Sequence, residues 1–136
     1  DFMKPDGLYF IGFPPWHSPF GGHQQLLNHK IFSKLPYFHI IPRGMYKGLL
    51  KMIGESDAKI EGMLEIYDTR ITIDRLNRIL KKSNYSVLKK TMWFVNPNYE
   101  TKFGMRPRKQ IGLLSGIPLL RNFFVTAAYY VVRANK

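Results

Sequence analysis

The sequence contains no cysteine, which excludes disulfides, thiolate metal sites and cysteine nucleophiles and leaves the redox compartment open. Acidic residues are scarce: nine Asp and Glu stand against 21 Lys and Arg, for a formal net charge of +12. Such an excess points to nucleic acid or an anionic membrane when the cations cluster. Here they come in ones and twos, as at Lys47, Lys51, Lys81, Lys82, Lys89 and Lys90. The plainer alternative is a solvated basic surface. Long hydrophobic runs are missing too; none is long enough for a bilayer and no apolar leader opens the sequence, so a cytoplasmic location is expected. Internal repeats and low-complexity tracts are absent.

What is present is a globular composition, 45% hydrophobic and 15% aromatic over 136 residues. A chain of that size buries about two-thirds of its unfolded surface. Near its start, Gly7 to Phe13 is apolar at alternate and intervening positions alike, which predicts a strand buried on both faces, as in a parallel sheet covered by helices. Pro14 and Pro15 stop the ladder, and a loop rich in Trp, His and Gly runs to His23. In open α/β sheets that is where a ligand site lies. Residues 24–33 are read as a short helix and 35–42, bracketed by prolines, as irregular or a short strand. Helical spacing then marks Met45, Tyr46, Leu49, Leu50 and Ile53, ended by Gly54, and Ile60, Met63, Leu64 and Tyr67 after Ser56. A third helix is predicted from the N-cap Thr72 with Ile73, Leu76, Ile79 and Leu80 on one face, leaving at Asn84. Val87 to Val95 reads as a strand, 98–118 as loop with a short helix near Gln110 to Ser115, and Phe123 to Val132 as a central strand. Met45, Met52 and Met63 are read as gap-filling core.

This order resembles the C-terminal half of a class I S-adenosylmethionine-dependent methyltransferase. The local wording is similar to bacterial members with a helical insert: Phe13-Pro14-Pro15-Trp16 with Ser18-Pro19-Phe20-Gly21-Gly22-His23, then Thr69-Arg70-Ile71-Thr72-Ile73-Asp74-Arg75-Leu76, then Asn96-Pro97-Asn98-Tyr99-Glu100. The resemblance implies an α/β fold, the C-terminal part of a Rossmann-like sheet with strands in the order 5, 7, 6. Residues 1–22 would hold the fifth strand and its loop, 23–71 a helical insert, and 72–136 a helix, the sixth strand, a long loop and the seventh. It implies one structural domain, a fragment of a larger one, that carries the substrate side of the enzyme. The glycine loop and ribose-binding acid of the family have no counterpart here, so no cofactor-binding residue is expected in this stretch. S-adenosylmethionine would belong to the intact parent and the fragment alone would be inactive.

On that reading, His17 and His23 flank the loop beyond the strand and either imidazole can act as a base or orient substrate. The plainer reading makes them caps in a tight loop. Trp16, Phe20 and Tyr37 are candidates for an apolar substrate wall, with Phe38 assigned to the core, and Arg106 with Arg108 for clamping an anionic group. His17, His23 and His29 recur every six residues, which is not a helical ligand pair, so no metal site is expected. Ser18 beside His17 lacks an acid partner in sequence. The expected partner is a small-molecule methyl acceptor. Self-association through the strand at residues 7–13 is also expected, because an unpaired edge is a template for pairing. The alternatives are a basic binding module for nucleic acid or anionic lipid, and a structural strand-pairing domain.

Overall fold

The computed structural model describes residues 7–135; residues 1–6 and 136 of the expected segments lie outside the described residues. The chain is α/β: a four-stranded sheet with helices inserted between its strands. In chain order it forms β1 (Leu8–Phe13), α1 (Arg43–Met52), α2 (Asp57–Thr69), α3 (Ile73–Lys82), β2 (Tyr85–Val95), α4 (Asn98–Phe103), β3 (Arg108–Lys109), α5 (Gly112–Gly116), α6 (Leu120–Phe123) and β4 (Ala127–Ala134). The sheet order is β1-β4-β2-β3, and each neighbouring pair is antiparallel.

The expectation of a first strand buried on both faces in a parallel sheet is therefore corrected. β1 lies at the edge of the sheet, with Leu8 63%, Tyr9 53% and Phe10 60% exposed. Only Ile11 and Phe13 of that strand pack into the core, under α3. The doubly apolar pattern told which residue types faced each way, but not what covers them. The doubly apolar final strand does sit centrally, as β4, where Ala128, Tyr130 and Val132 are buried.

Two apolar clusters hold the molecule. In the first, Trp16, Leu27 and Phe38 pack with Tyr46 and Leu50 of α1 and Ile60, Met63, Leu64 and Tyr67 of α2. In the second, Ile73, Leu76 and Leu80 of α3 cover Met92, Ala128, Tyr130 and Val132 on one face of the sheet. The opposite face carries an aromatic row, Phe10 edge-on to Tyr129 at 5.2 Å and Tyr129 against Trp93 at 6.2 Å. No helix among the described residues is long and apolar enough to cross a membrane.

Most helix signals act as the residues dictate. Thr72 caps α3 by accepting from the Arg75 amide at 3.1 Å. A second anchor at this helix start was not visible locally: buried Asn122 accepts from the Ile73 amide at 2.9 Å and donates to Asp74 at 2.9 Å. Arg121 pairs with the same carboxylate. Burial opposes ionisation of Asp74, but the Arg121 and Asn122 hydrogen bonds outweigh it and hold its pKa down. Gly54 ends the first helical run with φ of +80°.

Other boundaries moved. The single helix expected at 24–33 is two three-residue 3-10 turns, Gln24–Leu26 and Phe32–Lys34, and a third, Phe38–Ile40, occupies the segment read as irregular or strand. The stretch read mainly as loop holds α4, and its short helix begins at Gly112; Phe123 ends α6, so the last strand starts only at Ala127. Met63 is core, but Met45 and Met52 are 64% and 76% exposed, on the face of α1 opposite Tyr46 and Leu50.

Candidate functional site

The loop after β1 is a succession of tight turns. The Ser18 amide donates to Pro15 at 2.8 Å, Gly21 to Ser18 at 3.1 Å and His23 to Phe20 at 3.1 Å. Its glycines are there for close approach. A Cβ on Gly21 would lie 2.2 Å from the Pro15 carbonyl oxygen, and one on Gly22 would lie 2.4 Å from the His39 Cβ. Behind the loop, His39 is fully buried, and its Nε2 donates to the Trp16 carbonyl at 2.7 Å. Gln24, also fully buried, ties the loop to the following segment by donating to Pro19 at 2.7 Å. Glu55 holds that following segment in turn, accepting from the amides of Asn28 at 2.6 Å and His29 at 3.2 Å. The loop is therefore a rigid element wedged between the sheet and the α1–α2 pair.

Two cavities open beside it. One of about 330 Å³ lies at the sheet end shared by β1, β2 and the start of β4, lined by Pro14, His23, Asn96 and Thr126 among others. The second, about 580 Å³, is lined by Phe20, Gln25, Ser33, Lys34, Tyr99 and Met105. Gln25 and Tyr99, hydrogen-bonded to each other, line both, so the two are adjoining hollows of one cleft with that pair between them. Burial raises the Tyr99 phenol pKa while a hydrogen bond with Gln25 lowers it, the former prevailing. Burial also depresses the pKa of His23, favouring its neutral imidazole.

The sequence-predicted site residues separate into four places. His23 and Phe20 line the cleft. His17 instead stacks on Phe123 at 5.2 Å and 15°, and Tyr37 joins that group by donating its hydroxyl to the Phe123 carbonyl at 3.0 Å. Trp16 is 5% exposed and belongs to the core, edge-on to His39 at 4.7 Å and to Tyr67 at 5.0 Å, so it forms no substrate wall. Arg106 and Arg108 border a further hollow of about 400 Å³, lined also by Phe94 and adjoining the cleft at Met105. Phe38 is core, as expected. Asn96 and Tyr99, from the Asn96-Pro97-Asn98-Tyr99-Glu100 stretch, line the cleft without having been among the site residues expected from the sequence. Their signal was position: they follow β2, which runs in the same direction as β1 because both are antiparallel to β4. Gln25, Lys34 and His39 had no comparable signal.

The three loop-associated histidines predict a pH response. Burial is the leading cause that lowers the pKa of His17, His23 and His39 below 6.5; Arg70 adds to it at His17, and the bond to Trp16 only partly offsets it at His39. The folded state thus binds fewer protons than the unfolded state once pH drops below 6.5. Stability is greatest above that value and is lost as pH falls through it toward the depressed pKa values. The Asp74 contribution goes later, below 3.8. Urea midpoints are expected to fall between about pH 7.5 and about pH 5, and His39→Gln should flatten that fall. A midpoint constant across the interval would contradict the assignment.

No protein-family model matches this chain, and no curated protein and no solved structure matches it.

Proposed function

We propose that this chain is the substrate-side portion of a class I S-adenosylmethionine-dependent methyltransferase. The observation that supports this reading best is the placement of β4 between β1 and β2, antiparallel to both, with the cleft at their carboxyl ends. The reading takes β1, β4 and β2 as strands 5, 7 and 6 of a longer sheet. Its parallel strands would add at the open edge of β1 and cover Leu8, Tyr9 and Phe10. Antiparallel pairing throughout the described strands is then a property of this end of the sheet alone.

The residues present do not fit the cofactor. The glycine pair that follows β1 is packed against Pro15, Trp16 and His39 and leaves no backbone cradle for a ligand. The reading therefore assigns S-adenosylmethionine to the remainder of the larger protein. On this reading the chain contributes a cleft for the methyl acceptor, and His23, which lines it, would take the proton.

Calorimetry tests the assignment. The chain alone is expected to show no saturable binding of S-adenosylmethionine in the low micromolar range, whereas the longer protein that carries it binds. Micromolar binding by the chain alone, or none by the longer protein, would overturn the reading. Tight, salt-dependent retention of the chain on nucleic acid would favour a polyanion-binding module instead.

A further inference from the structure

We propose that the cleft takes an amphipathic small-molecule anion, with its apolar body against Phe20 and Met105 and its carboxylate or phosphate held by Lys34. As an identification of the methyl acceptor this rests on the substrate-side reading above. As a binding site it stands on the geometry of the cleft.

The cavity of about 580 Å³ falls in the range of small-molecule sites. Its wall combines an aromatic ring, Phe20, with a flexible thioether, Met105, a pairing that accommodates planar or extended apolar groups. Lys34 is exposed at the cleft and forms no ion pair among the described residues. Among the described residues, no carboxylate lines either cavity. Arg106 and Arg108, beyond Met105, add positive charge on the same side, so a cationic ligand is disfavoured and an anion attracted. Across the Gln25–Tyr99 pair, the adjoining hollow is polar at His23, Asn96 and Thr126.

The probes are naphthoate, naphthyl phosphate and the neutral naphthalenemethanol, titrated into the chain and followed by methionine-methyl NMR. Both anions are expected to shift the Met105 methyl and to bind about tenfold tighter than the alcohol. Lys34→Gln should remove that preference, while Lys51→Gln, on α1 and away from the cleft, should keep it. A preference for one anion over the other supports the site and identifies its head group. Equal binding of the neutral probe, shifts that avoid Met105, or displacement of the anions only by a single-stranded oligonucleotide would overturn the proposal. Failure here leaves the cofactor measurement untouched. Anion binding by the chain with no cofactor binding by the longer protein would instead retain the cleft and discard the methyltransferase.

Discussion

Replacing Gly21 by alanine is expected to cost the chain about 3 kcal/mol or more, toward the upper end for overpacking a site that cannot relax. The added methyl would meet the Pro15 carbonyl oxygen at 2.2 Å and the Trp16 carbonyl oxygen at 2.3 Å. Both are backbone atoms of the same tight loop, and the Trp16 carbonyl is already engaged by His39. Relief requires the loop to open, which breaks the His39 bond and withdraws Trp16 from Tyr67. The internal control is Gly48→Ala on α1, where nothing lies within 4 Å. There the substitution should gain about 0.5–1 kcal/mol, since glycine is a poor residue for a helix interior. Urea unfolding of the two variants checks the contrast. A Gly21→Ala protein as stable as the parent would mean that the loop is not locked as described.

The second large effect concerns the proposed activity. In the longer protein that the proposed function calls for, His23→Ala is expected to reduce methyl transfer by about 10²–10⁴-fold, the usual cost of losing an acid-base group. His17→Ala should change turnover only a few-fold, because its ring stacks on Phe123 and does not line the cleft. Both variants are compared at matched folded fraction, since both histidines are partly buried. The pH profile separates chemistry from packing. With a pKa lowered by burial, the His23 imidazole becomes protonated only below 6.5, so the acid limb of the rate should lie there and vanish in the variant. Equal losses for both variants, or an acid limb that survives, would reduce His23 to a loop cap.

Several parts of the fold were legible because their causes are local. Thr72 caps α3, Gly54 ends α1, and Ile60, Met63, Leu64 and Tyr67 face the core at the spacing the helix period requires. Pro14 and Pro15 end β1 because they cannot extend its ladder. The Trp16 region was recognisable as a special loop from its glycines, but not that Gly22 makes room for His39. That contact joins residues whose sequence patterns are independent.

Residue pattern alone therefore determined where most helices and strands form and that a loop rich in glycine and histidine follows β1. Tertiary structure decided what each face meets. Leu8, Tyr9 and Phe10 have the composition of a buried strand yet stand exposed, because burial depends on the presence of a neighbour and not on the strand itself. Met45 and Met52 share a helix with Tyr46 and Leu50 but lie outside the contact with α2. His17 and His23 are close in sequence but meet different neighbours, His17 stacking on Phe123 while His23 shares a cavity with Asn96 and Tyr99 through two strands held on either side of β4. Periodicity is a property of one element; a cleft is a property of how several are packed, and only long-range pairing sets that.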